Sequence, residues 1–141
     1  MEHIWRDGEP VALLYIDLDH FKPVNDRHGH ATGDRLLRQF ADRIGELVRP
    51  SDAVARLGGD EFTIALRGVR QLSHAQTVAD KVIIAAKQPF EVGALRLQIG
   101  ASVGVAHRVD PAGDWHALLA RADTALLRAK AEGRGRQAAA G

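Results

Sequence analysis

Arg56-Leu57-Gly58-Gly59-Asp60-Glu61-Phe62 sets two glycines and two carboxylates between two apolar runs, Ala53–Leu57 and Phe62–Leu66. Short apolar runs joined through Gly and Asp predict a β-hairpin, because glycine reaches φ > 0 without steric cost. Lacking a Cβ, glycine also lets a phosphate approach the backbone closely. Asp60 and Glu61 at the tip can then meet whatever lies over the turn. On its chemistry alone, the same heptad also reads as an ordinary Gly-Asp hairpin with solvated acids.

Upstream, Val11-Ala12-Leu13-Leu14-Tyr15-Ile16 is a continuous apolar run without helical period. Being short and bounded by turns, it predicts a strand covered on both faces. It ends in Asp17-Leu18-Asp19, and acids at the end of such a strand lie at the sheet edge, where α/β folds place ligand sites. Asp19 reads equally well as a cap for the next helix. Phe21–His28 predicts a short helical turn, followed by the breaker His28-Gly29-His30, whose histidines read as surface residues. From Gly33, Leu36, Leu37, Phe40, Ile44, Leu47 and Val48 recur at helical spacing, with Thr32 as N-cap and Pro50 as the stop.

Downstream, Gln71–Pro89 predicts a helix with Ala75, Val78, Ala79, Val82, Ile83 and Ala86 inward and Ser73 as its cap. Phe90–Ala94 reads as a short strand and turn. Period-two alternation from Leu95 to His107 predicts one long strand. Asp110–Asp114 reads as a turn, and Trp115–Ala131 as a helix burying Leu118, Leu119, Ala122, Leu126 and Ala129. Gly8, Glu9 and Pro10 read as a turn into the first strand, and the small, basic Gly133–Gly141 as a frayed tail. An antiparallel hairpin inside an otherwise crossover-connected sheet predicts an α+β fold with helices packed against the sheet.

At 141 residues, the length fits one domain, 1–141, with 1–10 a shortened lead-in and 136–141 the frayed end. The absence of cysteine excludes a disulfide scaffold or a thiolate metal site and suits the cytosol. A net charge of +1 with interspersed signs gives no DNA-binding surface and no basic membrane patch. No apolar run is long enough to cross a bilayer, and no signal peptide is visible. The seven histidines form no HExxH pair, so a zinc site is not expected.

Gly58-Gly59-Asp60-Glu61-Phe62 is letter for letter the signature of the GGDEF family, the bacterial diguanylate cyclases. Asn25-Asp26, Gly29-His30 and Gly33-Asp34 complete that family's N-D-x-x-G-H-x-x-G-D string. The chain resembles the family from about Pro10 to Gly135. The resemblance implies a palm-like βαββαβ core related to nucleotidyl cyclases, with a mixed, mostly antiparallel sheet. It also implies condensation of two GTP into cyclic di-GMP and two pyrophosphates by a homodimer, since one site aligns only one substrate.

That chemistry brings a 3′-hydroxyl to an α-phosphate, which calls for a divalent cation, hard oxygen ligands, cations on the leaving phosphates and a reader of the base. By resemblance, Asp17, Asp60, Glu61 and the Leu18 carbonyl are the ligands for Mg²⁺ (or Mn²⁺), and Asp60 and Glu61 the catalytic acids. Phe21, Lys22, Gly58 and Gly59 border the GTP, and Lys130 and Arg134 match the pair that grips the β- and γ-phosphates. Asn25 and Asp34 match the guanine-reading positions; a carboxylate accepting from N1–H and N2–H₂ rejects adenine. Taken singly, Asp17 reads as a salt-bridged acid, and Lys130 and Arg134 as cations complementing a helix dipole.

Arg49-x-x-Asp52 stands at the offset of the family's inhibitory product site, so Arg49→Ala is expected to weaken cyclic di-GMP binding well beyond Arg70→Ala. Two departures are visible. The terminal G-R-N reads Gly133-Arg134-Gly135 here, and the family's upstream D-x-L-T-x-L-x-N-R segment is missing. The resemblance further implies a sensor or phosphodiesterase domain elsewhere in a longer protein that could be membrane-tethered. A catalytically silent domain that binds GTP or cyclic di-GMP and regulates such a partner is the alternative. A cyclase making a 3′,5′-cyclic monophosphate fits Asp34 and the Arg49/Asp52 pair less well.

Overall fold

A computed structural model describes residues 9–108 and 114–140. In chain order the elements are β1 (Val11–Asp19), α1 (Phe21–His28), α2 (His30–Gly45), β2 (Ala53–Gly58), β3 (Glu61–Arg67), α3 (Leu72–Lys87), β4 (Phe90–Val92), β5 (Leu95–Leu97), β6 (Gly100–Arg108), α4 (Trp115–Ala131) and β7 (Gln137–Ala139). The main sheet runs β2-β3-β1-β6-β7, antiparallel except for the parallel β6–β7 pair, and β4-β5 form a separate ribbon. This is the mixed, mostly antiparallel α+β architecture that the sequence predicts.

β1 lies at the centre because both of its faces are apolar. Ala12, Leu14, Ile16 and Leu18 join Leu36, Phe40 and Ile44 of α2 and Ala79, Val82 and Ile83 of α3 in the main core. Val11 and Leu13 face the other way, onto Trp115, Leu118 and Ala122 of α4. Alternation along a strand thus places α2 and α3 on one side of the sheet and α4 on the other. Phe40 meets Phe62 edge to face at 5.1 Å between centroids, tying α2 to the start of β3.

Several boundaries differ from the expectations. The alternating run Leu95–His107 is two strands in two sheets, β5 pairing with β4 and β6 with β1. Period two reports a half-buried extended chain and is blind to which partner covers it. Residues 133–140 are not frayed: Arg136 O accepts from Val103 N at 3.0 Å, and β7 runs parallel to β6 with Ala138 buried. A three-residue edge strand, Gln-Ala-Ala, carries almost no local signal.

α2 begins at His30 rather than Gly33, with Gly29 (φ 90°) in the cap position and Thr32 inside the first turn. Ser73 likewise lies inside α3, whose cap position is Gln71. Asp114 does cap α4, accepting from Ala117 N at 2.8 Å. The rest of the expected 110–114 turn, and most of the shortened lead-in, fall outside the described residues.

Candidate active site

The cleft is built by β-sheet register. β1 pairs with β3 so that Asp17 lies opposite Glu61, and beyond that pair Leu18 N donates to Asp60 O at 3.2 Å. The hairpin tip is thereby tied over the end of β1. Gly59 (φ 51°) makes the turn, Arg56 Nε donates to Gly59 O at 2.9 Å, and the ladder slips between Arg56 and Gly58. That irregularity swings Asp60 off the ladder and toward Asp17. The resulting cleft, about 340 Å³, is lined by Asp17, Leu18, Asp19, His20, Phe21, Lys22, Pro23, Asp60, Lys130 and Arg134.

Of the residues singled out in the sequence, Asp17, Leu18, Phe21, Lys22, Asp60, Lys130 and Arg134 therefore meet at one place. Burial pushes the Asp60 carboxyl up from its ordinary range, and the facing Asp17 charge pushes it further. Two mutually repelling acids in a half-buried cleft attract cations. Lys130 Nζ is indeed paired with Asp17 Oδ2. Among the described residues no three His, Cys, Asp or Glu side chains group closely enough to hold a metal. A hard cation that keeps most of its water and substrate oxygens needs only one or two carboxylates, so Asp17, Asp60 and the Leu18 carbonyl could hold a hydrated divalent cation.

Glu61, opposite Asp17 in the register and on the same face of the sheet, is not among the residues that line the cleft. Its Oε1 accepts from the Tyr15 hydroxyl at 3.1 Å, on the α4 face of the sheet. Burial, and then this hydrogen bond to a carboxylate, push the Tyr15 phenol up to about 12. Tyr15 is thus a partner that the sequence pattern did not flag; its place two residues before Asp17, on the same strand face, was the available signal.

Asn25 and Asp34, on α1 and α2, are not among the residues that line the cleft. Asn25 Nδ2 and His30 Nδ1 are 3.0 Å apart, and His30 lies at the surface as expected. A Cβ on Gly33 would stand 2.3 Å from Asn25 Oδ1 and 3.1 Å from Phe21 Cζ, so only glycine lets the two helices seat Asn25 this way. Asp34 is exposed just past the first turn of α2, and Gly58 and Gly59 are exposed at the hairpin tip. Lys22 forms an exposed pair with Asp26 at 3.0 Å, a contact weak enough to exchange for a ligand.

Asp19 does not cap α1; the cap position is His20, with no side-chain bond. Its carboxylate is instead 3% exposed and accepts from Ser102 Oγ and Gly135 N, with Arg134 Nε at 3.8 Å. Ser102 was legible only as a lone hydroxyl in an apolar strand.

Arg49 and Asp52 lie apart from this cleft. Asp52 accepts from Arg49 Nε at 3.2 Å and from Arg67 N at 3.1 Å, and its side chain is 2% exposed. Arg49 also donates to Arg67 O and borders a depression of about 300 Å³ shared with Gly68, Val69, Arg70, Gln71 and His74. Arg70 is therefore a neighbour of Arg49 on the same depression.

Comparison with known proteins agrees with this geometry. The family model of the diguanylate cyclase GGDEF domain matches residues 1–136. MucR of Pseudomonas aeruginosa, a bifunctional diguanylate cyclase/cyclic di-GMP phosphodiesterase, is 41% identical over 129 residues, covering 92% of this chain and 19% of MucR. This chain thus spans less than a third of the length of the curated relatives it matches. The crystal structure of the GGDEF domain of TpbB from P. aeruginosa superposes with a TM-score of 0.89 at 36% identity, covering 99% of this chain and 90% of that one. The GGDEF domain of DgcB from Caulobacter crescentus, solved in complex with c-di-GMP, gives 0.84 at 33% identity, covering 94% and 79%. With its hairpin signature, its sheet order and these likenesses in agreement, the chain belongs to the GGDEF family of diguanylate cyclase domains.

Proposed function

We propose that this chain is a catalytic domain that condenses two GTP molecules into cyclic di-GMP and releases two pyrophosphates. The observation that carries the reading is the meeting of Asp17 and Asp60 in a cleft that also holds Lys22, Lys130 and Arg134. Acids for a cation and cations for a triphosphate then lie within one nucleotide's reach. Mg²⁺ (or Mn²⁺), held by Asp17, Asp60 and the Leu18 carbonyl, would neutralise the triphosphate and acidify the attacking 3′-hydroxyl.

In each step the 3′-oxygen of one GTP attacks the α-phosphorus of the other. The new P–O bond forms as the α–β bond breaks, and pyrophosphate leaves. Asp60, beside the attacking hydroxyl, accepts its proton. Lys130 exchanges its contact with Asp17 for the β- and γ-phosphates, joined by Arg134 and Lys22. Phe21, Gly58 and Gly59 border the nucleotide, Asn25 and Asp34 read guanine, and Glu61 joins the acids once released from Tyr15. One chain orients one GTP, so two chains must face each other for turnover.

Arg49 and Asp52 form the product-binding inhibitory site in this reading. A sensor or phosphodiesterase domain in a longer protein, and a cytoplasmic setting, complete the proposal. No helix among the described residues is long and apolar enough to cross a membrane.

Incubation with GTP and Mg²⁺, followed by chromatography of the nucleotides, tests the activity. Cyclic di-GMP and pyrophosphate should accumulate with the native chain and not with Asp60→Asn. GTP binding without any pyrophosphate would overturn the reading in favour of a silent regulatory domain.

A further inference from the structure

A buried carboxylate is costly unless its lone pairs are matched, so the partners of one show what it is for. Asp19 is such a group. It lies two residues beyond Asp17 on the same strand face, yet it takes no part in the acidic pair with Asp60. Both of its oxygens accept from Ser102 Oγ, at 3.0 and 2.8 Å, and Oδ2 also accepts from Gly135 N at 3.1 Å. Gly135 N lies within 3.2 Å of Ser102 Oγ as well, so the three groups close on one another. Gly100 lies opposite Asp19 in the ladder.

What this cluster holds is the turn after α4. Arg134 has φ 62°, a left-handed conformation unfavourable for a residue with a Cβ, which persists only where the surroundings enforce it. The enforcing contacts are on both sides: Arg134 N donates to Ala129 O at 3.1 Å, and Gly135 N is captured by Asp19. Arg134 Nε then sits 3.8 Å from Asp19 Oδ1, with the guanidinium half exposed at the cleft.

We infer that Asp19 and Ser102 are positioning residues for the triphosphate, clamping the 133–135 turn so that Arg134 is presented to the terminal phosphates. The inference rests on the proposed role of Arg134. It adds that the second acid of Asp17-Leu18-Asp19 acts through that arginine and holds no cation itself. Charge-assisted hydrogen bonds from a rigid central strand give the clamp the strength to fix a loop at a phosphate site.

The test uses 3′-deoxy-GTP, which lacks the attacking hydroxyl and cannot condense, and 3′-deoxy-GMP, which lacks the terminal phosphates. Their affinities are measured by calorimetry with Mg²⁺ for the native chain, Ser102→Ala, Asp19→Asn and Arg134→Ala. The triphosphate-to-monophosphate affinity ratio should fall by about tenfold in Arg134→Ala, the size expected for one lost charge-assisted contact. It should fall comparably in Ser102→Ala and Asp19→Asn, with monophosphate affinity unchanged. A purely structural role would lower thermal stability and leave the ratio alone, and that result overturns the clamp while Arg134 keeps its role. An unmoved ratio in Arg134→Ala overturns the phosphate reading and the clamp with it. Should Asp19→Asn fail to fold, Ser102→Ala, which removes a single hydroxyl, carries the test.

Discussion

Replacing Gly104 with alanine probes how closely α4 lies on the sheet and, through it, where Lys130 stands. Gly104 is in the middle of β6, opposite Tyr15 of β1. A Cβ there would lie 2.0 Å from Ala122 O, 2.4 Å from Leu126 N and 2.9 Å from Leu126 Cα, all of them backbone atoms of α4. Ordinary contact begins near 3.4 Å, so the helix must shift outward by more than an ångström, and no side-chain rotation can relieve the overlap. Overpacking of this kind costs about 3 kcal/mol, the upper end of its usual range, because a whole helix has to move. For a chain of this size that corresponds to a fall in Tm of about 10 °C. The shift would also carry Lys130 away from Asp17 and weaken triphosphate binding. Gly45, the exposed last residue of α2 with nothing within 4 Å of its Cβ position, is the control. Gly45→Ala should be neutral or stabilising by about 0.5 kcal/mol. Thermal unfolding followed by circular dichroism reads both variants. A Gly104→Ala protein melting within about 2 °C of the native one would refute the close packing of α4.

Asp60→Asn should raise stability while abolishing turnover. The folded-state pKa of Asp60 lies above its unfolded value, because burial and the Asp17 charge both penalise ionisation. Its stabilising contribution is therefore present below the unfolded pKa and is lost as pH rises through the folded one. Without divalent cation at neutral pH, the variant should melt about 1–2 °C higher, a difference of order 0.5 kcal/mol after solvent screening. The gap should close as pH falls through the carboxylate range; a gap that widens toward acid pH would contradict the assignment. For the product site, Arg49→Ala should weaken cyclic di-GMP binding by about tenfold in calorimetry. Arg70→Ala, on the same depression, should weaken it less, and Arg96→Ala, on β5, should leave it unchanged. Equal effects at Arg49 and Arg96 would remove the site from the account.

The parts of the fold legible in the sequence are those where one residue's neighbours in the chain decide its state. The hairpin around Gly58 and Gly59 follows from glycine's backbone freedom, and the central position of β1 from its unbroken apolar run. The inward faces of α3 and α4 follow from helical spacing. Residues that depend on distant partners were less legible. β7 exists because β6 offers an edge, and the β5/β6 break because β4 claims one piece and β1 the other. Asp19 and Ser102 are 83 positions apart, so no local pattern joins them. The same holds for Tyr15 and Glu61, which are 46 positions apart and joined by one hydrogen bond. Asp17, Asp60, Lys130 and Arg134 were legible as a set only through resemblance to a family. Sheet register and the docking of α4 supply the physical reason they meet.

Binding of Mn²⁺ in the presence of 3′-deoxy-GTP, followed by electron paramagnetic resonance, tests whether acids from β1 and from the glycine turn share one divalent cation. The account predicts that Asp17→Asn and Asp60→Asn each weaken Mn²⁺ binding by about tenfold, and that the double variant loses little more than either single one, as expected for two ligands of one ion. Native-like Mn²⁺ affinity in either single variant, or losses that simply add, would contradict it.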